Sequence, residues 1–102
     1  MTNQDVLTIY QNKSVLKDLK GFKLAKAVLL NMNKINDELL EVIRTMVKNM
    51  EESGKSQEEI KAEVDEILKK DSDIVFITLD EEDIPYDVSV EQLSILDNFI
   101  KK

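Results

Sequence analysis

The sequence predicts an α+β fold, mostly α: a long-helix/short-helix antiparallel hairpin with a short β-hairpin and a C-terminal helix. Three observations carry this. From Ala25 to Met50, apolar residues fall at Ala25, Val28, Met32, Ile35, Leu39, Val42 and Met46, one per helical turn, with no Gly or Pro inside the run. Ser56-Gln57-Glu58-Glu59 has the form of a capping box and follows the flexible pair Ser53-Gly54. Ile74-Val75-Phe76-Ile77-Thr78-Leu79 is β-branched and aromatic and too short for a helix of its own, so it reads as a strand.

The elements follow in chain order within one domain, 1–102. Residues 1–20 read as short N-terminal helices: Thr2 with Asp5 forms a helix start, Val6, Leu7 and Tyr10 share a face, and Ser14 opens a turn carrying Val15, Leu16 and Leu19. Gly21 breaks the chain before the long helix, 22–52. The second helix, 56–70, turns Ile60, Val64, Ile67 and Leu68 inward. A β-hairpin is expected over 74–88, with Asp80-Glu81-Glu82-Asp83 as its charged tip and Pro85 confining the return strand to an edge. Ser89 with Gln92 caps the last helix, 89–101, which bears Val90, Leu93, Leu96, Phe99 and Ile100.

Length adds a constraint. At about 1.5 Å per residue the long helix spans roughly 45 Å and its hairpin partner only about 20 Å. The partner therefore covers the half around Leu39 to Met50. The half from Leu24 to Ile35 needs the terminal helices, the sheet or a second chain, which makes Val28, Met32 and Ile35 the candidate self-association residues of a homodimer. Asn31, Asn33 and Asn36 border this stripe, where they set helix register or face water.

Composition limits the chemistry. The chain has no His and no Cys, which removes the usual general base near neutral pH, nucleophile–His pairs, disulfides and ordinary zinc sites. Two glycines, Gly21 and Gly54, make no phosphate-binding loop. No catalytic residue, cofactor or metal is expected. Charge is uneven: residues 1–50 carry eight Lys/Arg and five Asp/Glu (+3), residues 51–102 six and sixteen (−10), for the net −7 of the whole chain. The acidic half disfavours nucleic acid and anionic membrane as partners. No apolar run approaches membrane-spanning length, and Met1-Thr2-Asn3-Gln4-Asp5 lacks the start of a signal peptide, so a cytoplasmic protein is expected.

Three constellations compete with bland readings. Asp80, Glu81, Glu82, Asp83 and Asp87 could gather around Ca²⁺, but the spacing lacks a calcium loop's glycine, and a solvated hairpin tip accounts for it. Lys13, Lys17, Lys20, Lys23 and Lys26 could form a phosphate-binding stripe, or a solvated face pairing with the chain's own acids. Met32, Met46 and Met50 fill core gaps or line a groove for a partner helix.

Three N-terminal segments resemble a family of small uncharacterised proteins from temperate phages of Gram-positive bacteria: Asn3-Gln4-Asp5-Val6-Leu7-Thr8-Ile9-Tyr10, Leu19-Lys20-Gly21-Phe22-Lys23-Leu24-Ala25-Lys26, and Asn33-Lys34-Ile35-Asn36-Asp37-Glu38-Leu39-Leu40. Ile74 to Leu79 and Val88-Ser89-Val90-Glu91-Gln92-Leu93 resemble that family's ending. The resemblance implies a phage origin and a role in the infected cell; it transfers no site residue. The expected function is a small non-enzymatic phage accessory protein that binds a host or phage protein as inhibitor or adaptor. Asp80, Glu81, Glu82, Asp83, Tyr86 and Asp87 form its expected partner-binding edge, because they combine charge with an amphipathic aromatic. The alternatives are an oligomeric structural or assembly protein, and a protein that sequesters a small ligand near Lys20–Lys26.

Overall fold

The computed structural model describes residues 1–101. α1 (Asn3–Gln11) starts at Thr2, whose hydroxyl accepts the Asp5 N–H at 3.1 Å while the Asp5 carboxylate accepts the Thr2 N–H at 2.9 Å. This exchange satisfies two amides that a helix start leaves free. A 3₁₀ turn (Lys13–Leu16) then buries Leu16. Gly21, at φ 107°, takes a conformation that L side chains rarely adopt and turns the chain into α2 (Phe22–Ile35).

α2 continues through a π turn (Asn36–Leu40) into α3 (Glu41–Glu52), and the junction residues keep right-handed helical φ and ψ. The combined rod, about 46 Å at the usual rise, explains why the molecule measures 52 × 21 × 21 Å. The radius of gyration, 15.9 Å, exceeds the roughly 13 Å of a compact chain this long.

α3 ends in a Schellman motif. Gly54, at φ 79°, lets Lys55 N–H reach the Met50 carbonyl at 3.0 Å and its own N–H reach Glu51 at 3.1 Å. α4 (Gln57–Lys69) is capped by Ser56, whose Oγ accepts the Glu59 N–H at 3.2 Å. The Glu59 carboxylate turns to the Ser56 hydroxyl and to Lys55, leaving the cap amide without it. α4 packs on α3 and α1, and its far end is tied to the N-terminus. Asn3 N–H donates to the Lys70 carbonyl at 2.9 Å, Asn3 Nδ2 to the Ile67 carbonyl at 2.8 Å, and Ser72 N–H to the Met1 carbonyl at 2.9 Å.

Beyond α4 the expectation of an α+β fold fails. No β-strand forms among the described residues; the fold is all-helical and the 74–88 β-hairpin is absent. Residues 72–78 form no regular element and lie between two isolated bridges, Thr2 with Asp71 and Leu79 with Ile100. The strand-like composition is met another way. Fully buried Asn31 on α2 accepts the Ile77 N–H at 2.7 Å through Oδ1 and donates Nδ2 to the Ile77 carbonyl at 3.0 Å. One side-chain amide thus supplies the acceptor and donor that a neighbouring strand would offer. The would-be return strand is punctuated instead by a 3₁₀ turn (Glu81–Asp83), which Asp80 and Asp83 box from both ends, and by Pro85.

α5 (Val90–Leu96) begins at Ser89, boxed with Gln92, and tightens into a 3₁₀ turn (Asp97–Phe99). Ile100 and Lys101 then join the bridge at Leu79. The core gathers Val6 and Ile9 of α1, Leu24, Ala27, Met32 and Ile35 of α2, Leu39, and Leu79, Leu96 and Phe99 from the C-terminal segment. Phe76 meets Phe99 edge-on, ring centroids 5.0 Å apart.

Burial along the long helix meets the length argument in its first half and departs from it in the second. The Leu24–Ile35 half is covered by the chain's own terminal elements, whereas α3 buries no residue fully and α4 only Ile60. The molecule is a packed head with a two-helix arm.

Candidate protein-binding groove

The turn that closes the head at Asp80–Asp83 also fixes its charge. Asp83 accepts the Asp80 N–H at 3.0 Å and an ion pair from Lys23 Nζ, also at 3.0 Å. The hydrogen bond from Lys23, then that from the Asp80 amide, hold the Asp83 carboxyl below its ordinary range, and Asp83 in turn raises Lys23. Of the expected edge, Asp83 is thus partly buried and committed to α2. Asp80, Glu81, Glu82 and Asp87 stand exposed, and Tyr86 is fully exposed.

Of these residues, Glu81 and Tyr86 line an open groove of about 730 Å³ between the Ile84–Val88 turn and α5, with Ile84, Pro85, Tyr86, Val90, Leu93 and Ile100 as its apolar lining. Val90 is 86% exposed and Leu93 46%, because the inward face of α5 is taken by Leu96. Glu81 and Asp97 reach the groove wall. Residues 80–97 hold seven carboxylates and no Lys or Arg, and the charged residues that line the groove, Glu81 and Asp97, are both acidic. Val90, Leu93 and Ile100, expected only as apolar residues of the last helix, were not among the expected binding residues; in the structure Leu96 and Phe99 are buried while Val90 and Leu93 stand exposed.

The other expected residues sit elsewhere. Ile35 is fully buried and Met32 nearly so within the chain's own core, and Val28 packs half-buried against it. Among the described residues no three acidic side chains gather at metal-binding range, those of 80–87 included. The lysine row is divided: Lys23 pairs with Asp83, Lys13 lies over Tyr10 at 4.0 Å and Lys26 over Phe22 at 5.8 Å. A second cleft of about 520 Å³, between Tyr10, Leu16 and Met32, is edged by Lys13 and Lys17 and not by Lys20 to Lys26.

No helix among the described residues is long and apolar enough to cross a membrane. Comparison with protein-family models, curated proteins and solved structures finds no match for this chain.

Proposed function

We propose that this chain is a non-enzymatic binding protein that takes a basic, amphipathic segment of another protein into the groove beside α5. The observation that carries it is a groove with an apolar floor and fully exposed Tyr86, whose charged lining residues, Glu81 and Asp97, are both acidic. Apolar side chains left bare on a small chain mark an interaction surface, and wall charges of one sign select and steer a partner of opposite charge. Tyr suits the centre of such a site, since it adds contact area at low entropy cost. The resemblance to temperate-phage proteins sets this activity in the host cytoplasm, where the chain would inhibit or adapt a host or phage protein.

The test uses a synthetic helix with Lys and Leu on opposite faces and one Trp; the chain has none, so the peptide's fluorescence is read alone. Binding that weakens with salt and drops at least tenfold in Tyr86→Ala or Leu93→Asp supports the reading. Binding that ignores both variants, or its absence at low salt, overturns it.

A further inference from the structure

We propose that the bare face of α3 seats a second copy of this chain, the two α3 helices lying antiparallel about a two-fold axis near Lys48. The face is an open groove of about 570 Å³ floored by Val42, Met46 and Met50. Val42, in the first turn of α3, is 54% exposed, so the chain itself leaves this surface uncovered.

The charge order chooses the occupant. The groove's charged walls are Glu41 at one end and Lys55 at the other. An antiparallel copy centred at the level of Lys48 brings each Glu41 opposite the other copy's Lys55. A two-fold interface is self-complementary by construction, and this flank reads acid-to-base in one direction only, as such pairing requires. Within one chain these groups make only exposed contacts: Arg44 pairs with Glu41, and Lys55 lies 3.8 Å from Glu59. Neither commits them, since exposed pairs exchange readily. A parallel copy would set Glu41 on Glu41 and Lys55 on Lys55. The acidic groove beside α5 takes no part, so this inference does not depend on the partner proposed for it.

Sedimentation equilibrium tests it on the full chain. The expected mass rises with concentration from 11.7 kDa toward twice that value. Val42→Glu abolishes the rise with its melting temperature unchanged, since the side chain is already in water. Lys55→Glu and Glu41→Lys each weaken the pair roughly tenfold, because every reversal acts twice across the axis, and the double reversal restores it. Asn49→Cys, close to the axis, links to its own copy on oxidation, whereas Val42→Cys does not. A monomer mass at about 1 mM, where even a millimolar dimer is substantially formed, overturns the proposal. So does an oligomer indifferent to Val42→Glu, or a double reversal that fails to restore association.

Discussion

The carboxamide of Asn31 holds both backbone groups of Ile77, accepting its N–H at 2.7 Å and donating to its carbonyl at 3.0 Å across 46 positions of sequence. Asn31 is itself fully buried, so the 72–78 segment is pinned to α2 from inside the core. Asn31→Ala would leave those two groups without partners and destabilise the fold by about 1–3 kcal/mol. Asn31→Leu, which fills the volume, would cost a similar amount because the loss lies in the hydrogen bonds. Urea unfolding measures the cost, and faster amide exchange at Ile77 than at α1 localises it.

Gln92 has two duties that Ser89 does not share. Its Oε1 accepts the Ser89 N–H at 3.0 Å, and its Nε2 donates to the Val15 carbonyl at 3.1 Å, joining α5 to the Lys13–Leu16 turn. Ser89→Ala removes only a cap, worth about 1 kcal/mol. Gln92→Ala removes the cap's return bond and the cross-link, so its unfolding midpoint should fall below that of Ser89→Ala. Gln92→Glu should lie between them, since a carboxylate keeps the cap and loses the donor.

Lys23 and Asp83 link stability to pH at both extremes. The folded Asp83 carboxyl lies below its ordinary 3.8, so its contribution is complete above that value and is lost as pH falls toward the depressed one. The folded Lys23 ammonium lies above its ordinary 10.5, so its contribution is complete below that value and is lost as pH rises through the raised one. Because each group is the chief cause of the other's shift, Asp83→Asn should flatten the acid limb of melting temperature against pH and most of the alkaline limb, and Lys23→Met the alkaline limb and part of the acid one. Both variants should leave the slope near pH 7 unchanged. Asp5, lowered by its bonds to the Thr2 amide and hydroxyl, adds to the acid limb alone.

Gly54 is required for its backbone and not for space. A Cβ there would meet nothing within 4 Å, yet φ is 79°. Gly54→Ala should cost about 1 kcal/mol from the left-handed conformation alone, and Gly54→Asn less. A full-cost Asn variant in thermal melts would show that something other than φ demands the glycine.

What the sequence made legible was local. Thr2 with Asp5, Ser56 before Glu59, and Ser89 with Gln92 each mark a helix start, because a cap is chemistry between residues three apart. Gly54 marks an end for the same reason. The run Ile74–Leu79 was misread because its partner is a side chain on a distant helix. Helical spacing did hold one clue: Asn31 follows Leu24 by seven residues and Ala27 by four, which places it on the buried face. The bare arm was misread for a different reason. A π turn admits one extra residue, which offsets the apolar stripe by about 100°. Val42 therefore continues the spacing of Ile35 and Leu39 in sequence but leaves their face in space.

That turn also makes orientation a matter of counting. The head and the arm share one rod, so their relative azimuth depends on the number of residues between Ile35 and Glu41, along with the ties of α4 to Met1 and Asn3. In the paired form this number sets the angle between two acidic grooves, and hence how far apart two basic segments must lie to be held at once. Removing Asp37, an exposed residue of the turn, would swing each head by about 100° with the helical content preserved. Spin labels replacing Tyr86 in the two copies would register the swing as a changed distance, and a bivalent ligand as a changed avidity.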